Sequence, residues 1–499
     1  MKVPVLYGTD SSKDYSKELR FVSSRLGKEL NEVWDGCTDQ DFPETPENIR
    51  NTLLSFLDEK DISFVTSERI SHSLGKSSPE ILLAKHGALP GIVDAVVYPS
   101  LENAGSVLAG LNERGFSAVI YGGGTSVSGS LLMTGKSPVV SIDTSRLKGM
   151  AMGEWFAVFG SGMTGQEAER EANRHGYTLG NFPESFMYST LGGWVATKEV
   201  GQESNQYGGI ERMLMGVRMV TSNGEMEDRL VPRQSAGLGA KDIALGSDGR
   251  YGLITEVTLR VFRIPRHRYY SSRIYQSFKE GIDALSRTNR FPSVARLSDE
   301  IETEFALKTA GDSGMVKLYR KYVSMRGYSH GSLLIVVNNE VDIQPVKAIS
   351  MSAGSAPARS WMKNRFERPG AANALWKYGL VPDTLETSAT WDRLYVLYEA
   401  VRKKFDMLKE ELGFTGEIMA HISHLYREGA CIYFTYIIES GNEISDLEKI
   451  RKGLVDTFLA IGGAITHHHG YGKYFSQYVE PEIARLQSKL EDPLFKRGE

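Results

Sequence analysis

Five of the ten histidines in this 499-residue chain fall between positions 421 and 469: His421, His424, His467, His468 and His469. Imidazole gains and loses a proton near neutral pH, so this concentration suits acid–base chemistry. A lone histidine is more often a satisfied structural residue. Two clusters in one region make a candidate site. Tyr433 lies between them, in the apolar run Gly429-Ala430-Cys431-Ile432-Tyr433-Phe434. Strand periodicity puts Cys431 and Tyr433 on one face, so if Tyr433 faces a site, Cys431 borders it.

A second kind of chemistry is written in glycine. The chain holds 51 glycines, an excess over the usual level of about 7%. They cluster at 122–129, 161–166, 183–193 and 246–256. Glycine lets backbone amides approach a ligand closely, and successive amides form an anion nest. Gly122-Gly123-Gly124-Thr125-Ser126 follows an apolar strand pattern and adds two hydroxyl donors. It closes with no Gly-Lys-Ser/Thr and has no Gly-x-Gly-x-x-Gly spacing, so it is neither a P-loop nor a Rossmann fingerprint.

Composition bounds the rest. Lys+Arg number 58 and Asp+Glu 62, a net charge of −4, which argues against a general nucleic-acid binder. Two cysteines, Cys37 and Cys431, cannot build a thiolate zinc site or an iron–sulfur cluster. No apolar run reaches the roughly 18 residues of a membrane span, and the first residues lack a signal-peptide core. A cytoplasmic enzyme is the expectation.

The elements that must position these residues read as two α+β units. Residues 1–85 form a helical lead-in, with helices near 46–57 and 78–85. Residues 86–265 carry strands at 95–98, 118–121, 139–142, 155–158, 217–221 and 253–261. Ser100 is the expected N-cap of a helix carrying Leu101, Ala104, Leu108 and Leu111. Thr164 and Glu167 fit a capping box. Asn223-Gly224 marks a hairpin. From 266 to 460 strands near 331–337 and 430–438 alternate with helices near 392–412 and 444–461. Residues 461–499 return to the site with the triple histidine.

The four glycine segments, in this order, resemble the FAD-binding domain of the vanillyl-alcohol oxidase / p-cresol methylhydroxylase superfamily. Gly246-Ser247-Asp248-Gly249-Arg250-Tyr251-Gly252-Leu253-Ile254-Thr255-Glu256 is similar to that group's flavin-contacting segment. The resemblance implies an α+β, two-domain, FAD-binding PCMH-type fold with an α+β cap (substrate) domain. The flavin-binding residues it implies are Ile120, Tyr121, Gly122, Gly123, Gly124, Thr125, Ser126 and Gly129; Gly162; Pro183, Glu184, Ser185, Ser189, Thr190, Gly193 and Thr197; and Asp248, Gly249, Tyr251, Gly252 and Ile254. The first loop offers no histidine for covalent attachment, so the FAD is expected to be non-covalent.

Within that superfamily, Leu385-Glu386-Thr387-Ser388-Ala389-Thr390-Trp391-Asp392-Arg393, Gly429 to Phe434, and Gly462-Gly463-Ala464-Ile465-Thr466-His467-His468-His469-Gly470-Tyr471-Gly472-Lys473 resemble alkyldihydroxyacetonephosphate synthases. So does Pro183-Glu184-Ser185 followed by Ser189-Thr190-Leu191-Gly192-Gly193-Trp194-Val195. The family exchanges the acyl group of acyl-dihydroxyacetone phosphate for a long-chain alcohol, by way of a flavin N5 adduct and without net oxidation. The resemblance implies Tyr433, His467, His468 and His469 as catalytic residues and Arg296, His421 and Arg365 as substrate-binding ones. His421 occupies the position of the family's phosphate-binding arginine; Arg365, Arg368 or Lys473 are candidate replacements.

The alternative reading is an FAD-dependent 2-hydroxyacid dehydrogenase. Such enzymes pair two histidines seven residues apart with a later glutamate; here the corresponding positions are His421, Glu428 and His468, a scrambled set, and no metal is assigned. A flavin binder without catalysis is the third class. The expected partners are a small lipid-like substrate and a second copy of the chain. Trp361 to Phe366 and Leu375 to Tyr378 mix aromatics with cations and read as core, dimer or peripheral membrane contacts.

Overall fold

The computed structural model describes residues 2–8, 14–133, 138–309, 321–328, 331–343 and 350–495. Three sheets carry the fold, and the site lies where loops from all three meet.

The first has four strands in the order Ile62–Ser63, Ala95–Val97, Val139–Asp143, Ser117–Tyr121. The last three are parallel neighbours, joined through the helix Ala104–Glu113. That helix starts later than Ser100 suggested. The Asn103 side chain instead accepts the Ser100 amide at 2.7 Å and holds residues 100–103 as a turn. Loop 122–126 leaves the carboxyl end of the strand Ser117–Tyr121, where ligands of parallel sheets collect.

The second sheet is antiparallel: Gly224–Glu227, Leu214–Thr221, Leu253–Arg260, Phe156–Gly160, Met150–Met152. Asn223-Gly224 turns its first hairpin, in which Thr221 pairs with Gly224. The Thr164–Glu167 capping box forms reciprocally, at 3.2 and 2.8 Å, and opens the helix Gly165–Arg174.

The third sheet has seven antiparallel strands, ordered Met351–Gly354, Arg268–Tyr275, Ser332–Asn339, Val294–Ser298, Thr415–Leu425, Gly429–Glu439, Val381–Thr390. Its pairing register does the positioning. Glu386 stands opposite Tyr433, and Tyr433 opposite His421. Directly paired residues share a sheet face, so one row presents a carboxyl, a phenol and an imidazole together. The neighbouring row, Leu385, Phe434 and Ala420, points the other way into the largest core. There the helices Trp391–Leu412 and Glu443–Ile461 cover it, with Phe434 stacked 5.6 Å from Phe458.

Trp376 is buried in that same core and Trp361 packs on a smaller one beside the sheet edge. Of these aromatics Trp376 is core, while Trp361 is half-buried at the sheet edge with exposed Lys363 beside it. Within the lead-in, the helix Ser16–Leu26 buries Phe21 and Val22 against Leu380, Met419 and Ile437. The helix Ser78–Lys85 puts Ile81 and Leu82 into the main core.

The strand that carries Glu386 is clamped to the helix preceding the triple histidine. Arg451 Nη1 reaches Asp383 Oδ2 at 2.7 Å, and Tyr436 Oη donates to the same oxygen at 2.5 Å. All three are buried. Removing one partner of a buried pair strands the other charge, at a cost of about 3–5 kcal/mol. Arg451→Met should therefore lower the thermal unfolding midpoint followed by circular dichroism. An unchanged midpoint would remove the clamp.

Candidate functional site

A cavity runs from the glycine loops to the triple histidine. Of the residues expected at a flavin, Ile120, Gly122, Gly123, Gly124, Thr125, Ser126, Ser185, Ser189, Thr190, Gly193, Thr197, Asp248, Gly249, Gly252 and Ile254 line it. His468 and His469 close the far end. Amides, hydroxyls and apolar walls of this order suit a dinucleotide with a flat ring.

Six expected residues stand behind that wall. Tyr121 lines a neighbouring cavity, its ring 4.1 Å from His72. A Cβ on Gly162 would strike the Thr144 carbonyl, and one on Gly129 the Tyr474 ring; both allow loops to close-pack. Tyr251 packs in the core of the second sheet, and Pro183 caps a turn by accepting the Phe186 amide. Glu184 turns to Arg368, 3.1 Å away. Thr144, Ser161, Gly192 and Glu199 line the cavity unforeseen. Burial pushes the Glu199 carboxyl up to about 8, so it carries a proton at neutral pH.

Four rings form a chain at the far end. Tyr433 Oη lies 2.6 Å from His468 Nε2, His468 Nδ1 2.7 Å from His467 Nδ1, and His467 Nε2 2.7 Å from Tyr426 Oη. His424, held by Ser204 at 2.8 Å, stands 3.5 Å from the Tyr433 hydroxyl. His421 stacks on the Tyr433 ring at 4.7 Å.

The organising group is Glu386, which the sequence contained in a motif but did not single out. Its buried carboxylate accepts the backbone amides of His467, His468 and His469 at 2.5, 3.1 and 3.2 Å. Thr466 Oγ1 adds a donor at 2.6 Å, and the His469 ring lies 3.2 Å away. Burial alone would raise this carboxyl. His469 and its neighbours outweigh that and hold it well below the usual range.

One carboxylate thereby sorts the histidines. Burial lowers His467 and lowers His468 and His424 further, so these rings are neutral. Burial works on His469 too, but the Glu386 carboxylate beside it prevails and raises it. Tyr433 is pushed well above its ordinary value by burial and keeps its proton. Glu386, Cys431, His467 and His468 bring donor atoms within 4.8 Å of one another, the one such group among the described residues. The Glu386 oxygens there are already engaged by amides.

The substrate side is built on Glu302. Arg296 Nη2 donates to Glu302 Oε1 at 2.6 Å, Arg368 Nη2 to the same oxygen at 3.0 Å, and His421 Nδ1 faces Oε2 at 3.2 Å. Burial would raise Glu302; Arg296 and His421 bring it down to about 2. Burial and the Arg296 charge lower His421. Arg365 is not brought to this cluster. It pairs with fully buried Glu203 at 2.9 Å and packs over Phe182 and Phe366.

Residues 93–228 match an FAD binding domain, and residues 264–490 match the C-terminal domain of FAD linked oxidases. Fold and cavity together define an FAD-dependent flavoenzyme. An alkyldihydroxyacetonephosphate synthase from Dictyostelium discoideum is 30% identical over 458 residues, covering 86% of this chain and 74% of the relative. Another, from Trypanosoma brucei brucei, is 28% identical over 462 residues, covering 86% and 75%. A solved alkyldihydroxyacetonephosphate synthase structure superposes with a TM-score of 0.82 at 25% identity, covering 96% of this chain and 91% of that one. The chain belongs to the alkyldihydroxyacetonephosphate synthase family. No helix among the described residues is long and apolar enough to cross a membrane.

The Glu386–His469 pair makes a pH prediction. His469 is raised in the folded chain, so its contribution is fully present below the unfolded value of about 6.5. It is lost as pH rises through the higher folded value. Glu386→Gln should lower the His469 titration midpoint, read by NMR on ring-labelled histidine. The variant should also lose less stability than wild type as pH rises above about 6.5. An unmoved His469 titration would show that another group sets its charge.

Proposed function

We propose that this chain is an FAD-dependent alkylglycerone-phosphate synthase-like enzyme, exchanging the acyl group of acyl-dihydroxyacetone phosphate for a long-chain alcohol. The observation that carries this reading is the 2.6 Å contact between a protonated Tyr433 and a neutral His468, a ring that lines the cofactor cavity. Bound non-covalently, FAD supplies an electron sink at the reacting carbon that is restored within each turnover.

The chain's own residues manage the protons. His468 Nε2 and the Tyr433 hydroxyl share one proton and pass it either way, which is what removing and returning a substrate proton requires. Each atom in the ring chain is a donor in one arrangement and an acceptor in the other. The exchange turns an ester and an alcohol into an ether and a carboxylic acid. That acid ionises at neutral pH, so one proton must leave per turnover. His467 and Tyr426 continue the path, and Tyr426 borders exposed Arg427 and Glu428. The charge on His469 favours a carboxylate leaving group.

The same reading carries a lipid-like substrate, a homodimer and peripheral membrane contact; light scattering and vesicle co-sedimentation check the last two. Labelled hexadecanol should enter palmitoyl-dihydroxyacetone phosphate without bleaching of the flavin. Oxidation of 2-hydroxy acids with bleaching, and no incorporation, would overturn the reading in favour of a dehydrogenase. Tyr433→Phe and His468→Ala should each lower turnover by about 10²–10⁴-fold while FAD is retained. Loss of FAD in both would mark these residues as structural.

A further inference from the structure

The reading above needs a place for the phosphate of the substrate, and the cations first considered for it do not serve. His421 is a buried ring lowered by burial and by Arg296. Arg365 is tied to Glu203 away from the site. Lys473 is exposed on the short helix Gly472–Phe475, with no contact to the ring cluster among the described bonds.

Arg368 is different. It opens the helix Arg368–Lys377 and reaches back over the substrate side of the site. One guanidinium nitrogen meets Glu184 at 3.1 Å and the other meets Glu302 at 3.0 Å. The two ties are unequal. Glu302 is buried and shared with Arg296, which holds it at 2.6 Å. The Glu184 side chain is 42% exposed and has no second cation in contact among the described residues. Through Arg368 it is tied to the Glu302 cluster. Glu302 is held down at about 2 by Arg296 and His421 and keeps its cations, so the part-exposed Glu184 yields its partner more readily. Once Glu184 is displaced, two arginines, Arg296 and Arg368, face the one carboxylate of Glu302, and the cluster is one positive charge in excess. His421 Nδ1 and Glu302 Oε2, both buried at its floor, complete no hydrogen bond of good geometry.

We propose that Arg368 is the anchor for the substrate's anionic head group, a phosphate monoester that replaces the Glu184 carboxyl on its guanidinium. Arg296 stays paired with Glu302 and supplies the neighbouring positive field. Arg368 Nη1 then donates a charge-assisted hydrogen bond to a phosphate oxygen while Nη2 stays on Glu302. Glu184 acts as a placeholder that neutralises Arg368 until the head group arrives.

This rests on the alkyl-exchange reading for the choice of phosphate, so the test measures binding without turnover. Dihydroxyacetone phosphate, dihydroxyacetone and D-lactate are each titrated into the oxidised holoenzyme, with the flavin absorbance shift as readout. Wild type should bind dihydroxyacetone phosphate more tightly than dihydroxyacetone. Arg368→Ala should weaken the phosphate ligand by about 10- to 100-fold, the size of a lost charge-assisted contact, and leave dihydroxyacetone unchanged. Arg368→Lys should recover part of the loss. Glu184→Gln should tighten dihydroxyacetone phosphate several-fold, which guards against reading a misfolded Arg368 variant as support. Wild-type affinity in Arg368→Ala, or weaker binding in Glu184→Gln, overturns the proposal. So does Arg368-dependent binding of D-lactate alone, which would make the subsite one for a carboxylate. Arg368-dependent phosphate binding in a protein that fails to incorporate hexadecanol would keep the subsite and remove the alkyl-exchange reading.

Discussion

A single buried carboxylate, Glu386, fixes the geometry on which the catalytic end depends. Three successive amides and a threonine hydroxyl converge on its two oxygens. Residues 467–469 must therefore curl around it, and a loop that would otherwise be free to move becomes a fixed ring array. The same charge separates the histidines electrically. The ring beside it is raised, while the rings one step further are governed by burial and stay neutral. A general base has to be neutral and an anion-stabilising group charged. One carboxylate delivers both states within three consecutive residues.

Glu386 can do this only because the sheet register is right. A slip of one residue in strand Val381–Thr390 would turn Glu386 into the core and Leu385 toward the site. Two features oppose such a slip. The Leu385, Phe434 and Ala420 row is buried under two long helices, and Asp383 is pinned by Arg451 and Tyr436 on the core side. Core packing and catalytic alignment are thus two faces of one register.

Much of this was legible in the sequence, and what was not has physical causes. The strands, the Thr164 capping box, the Asn223-Gly224 hairpin and the two long helices follow from local periodicity and turn chemistry, which act within a few residues. The clustered histidines and Tyr433 announced themselves by residue type. Glu386 did not, because an acid in a strand reads as a solvated residue until its cross-strand partners are known. Arg365 and Arg368 are alike in sequence, three residues apart, and part company through the distant carboxylates they meet, Glu203 for one and Glu184 with Glu302 for the other. Tyr426 and Ser204 entered through contacts 41 and 220 residues away, beyond any local pattern.

The glycine excess also changes meaning. Close approach of backbone to a cofactor explains only part of it. At Gly123 an added Cβ would collide with the Tyr188 carbonyl, and at Gly162 with that of Thr144. These are contacts between loops, backbone against backbone, not contacts with a ligand. At Gly472 the intruding neighbour is Ser128, so the C-terminal segment itself is seated by a missing side chain. Four loops and a returning tail must converge within one cofactor's length. Glycine is what allows their backbones to lie that close, so its abundance records how tightly the loops are stacked around the flavin site.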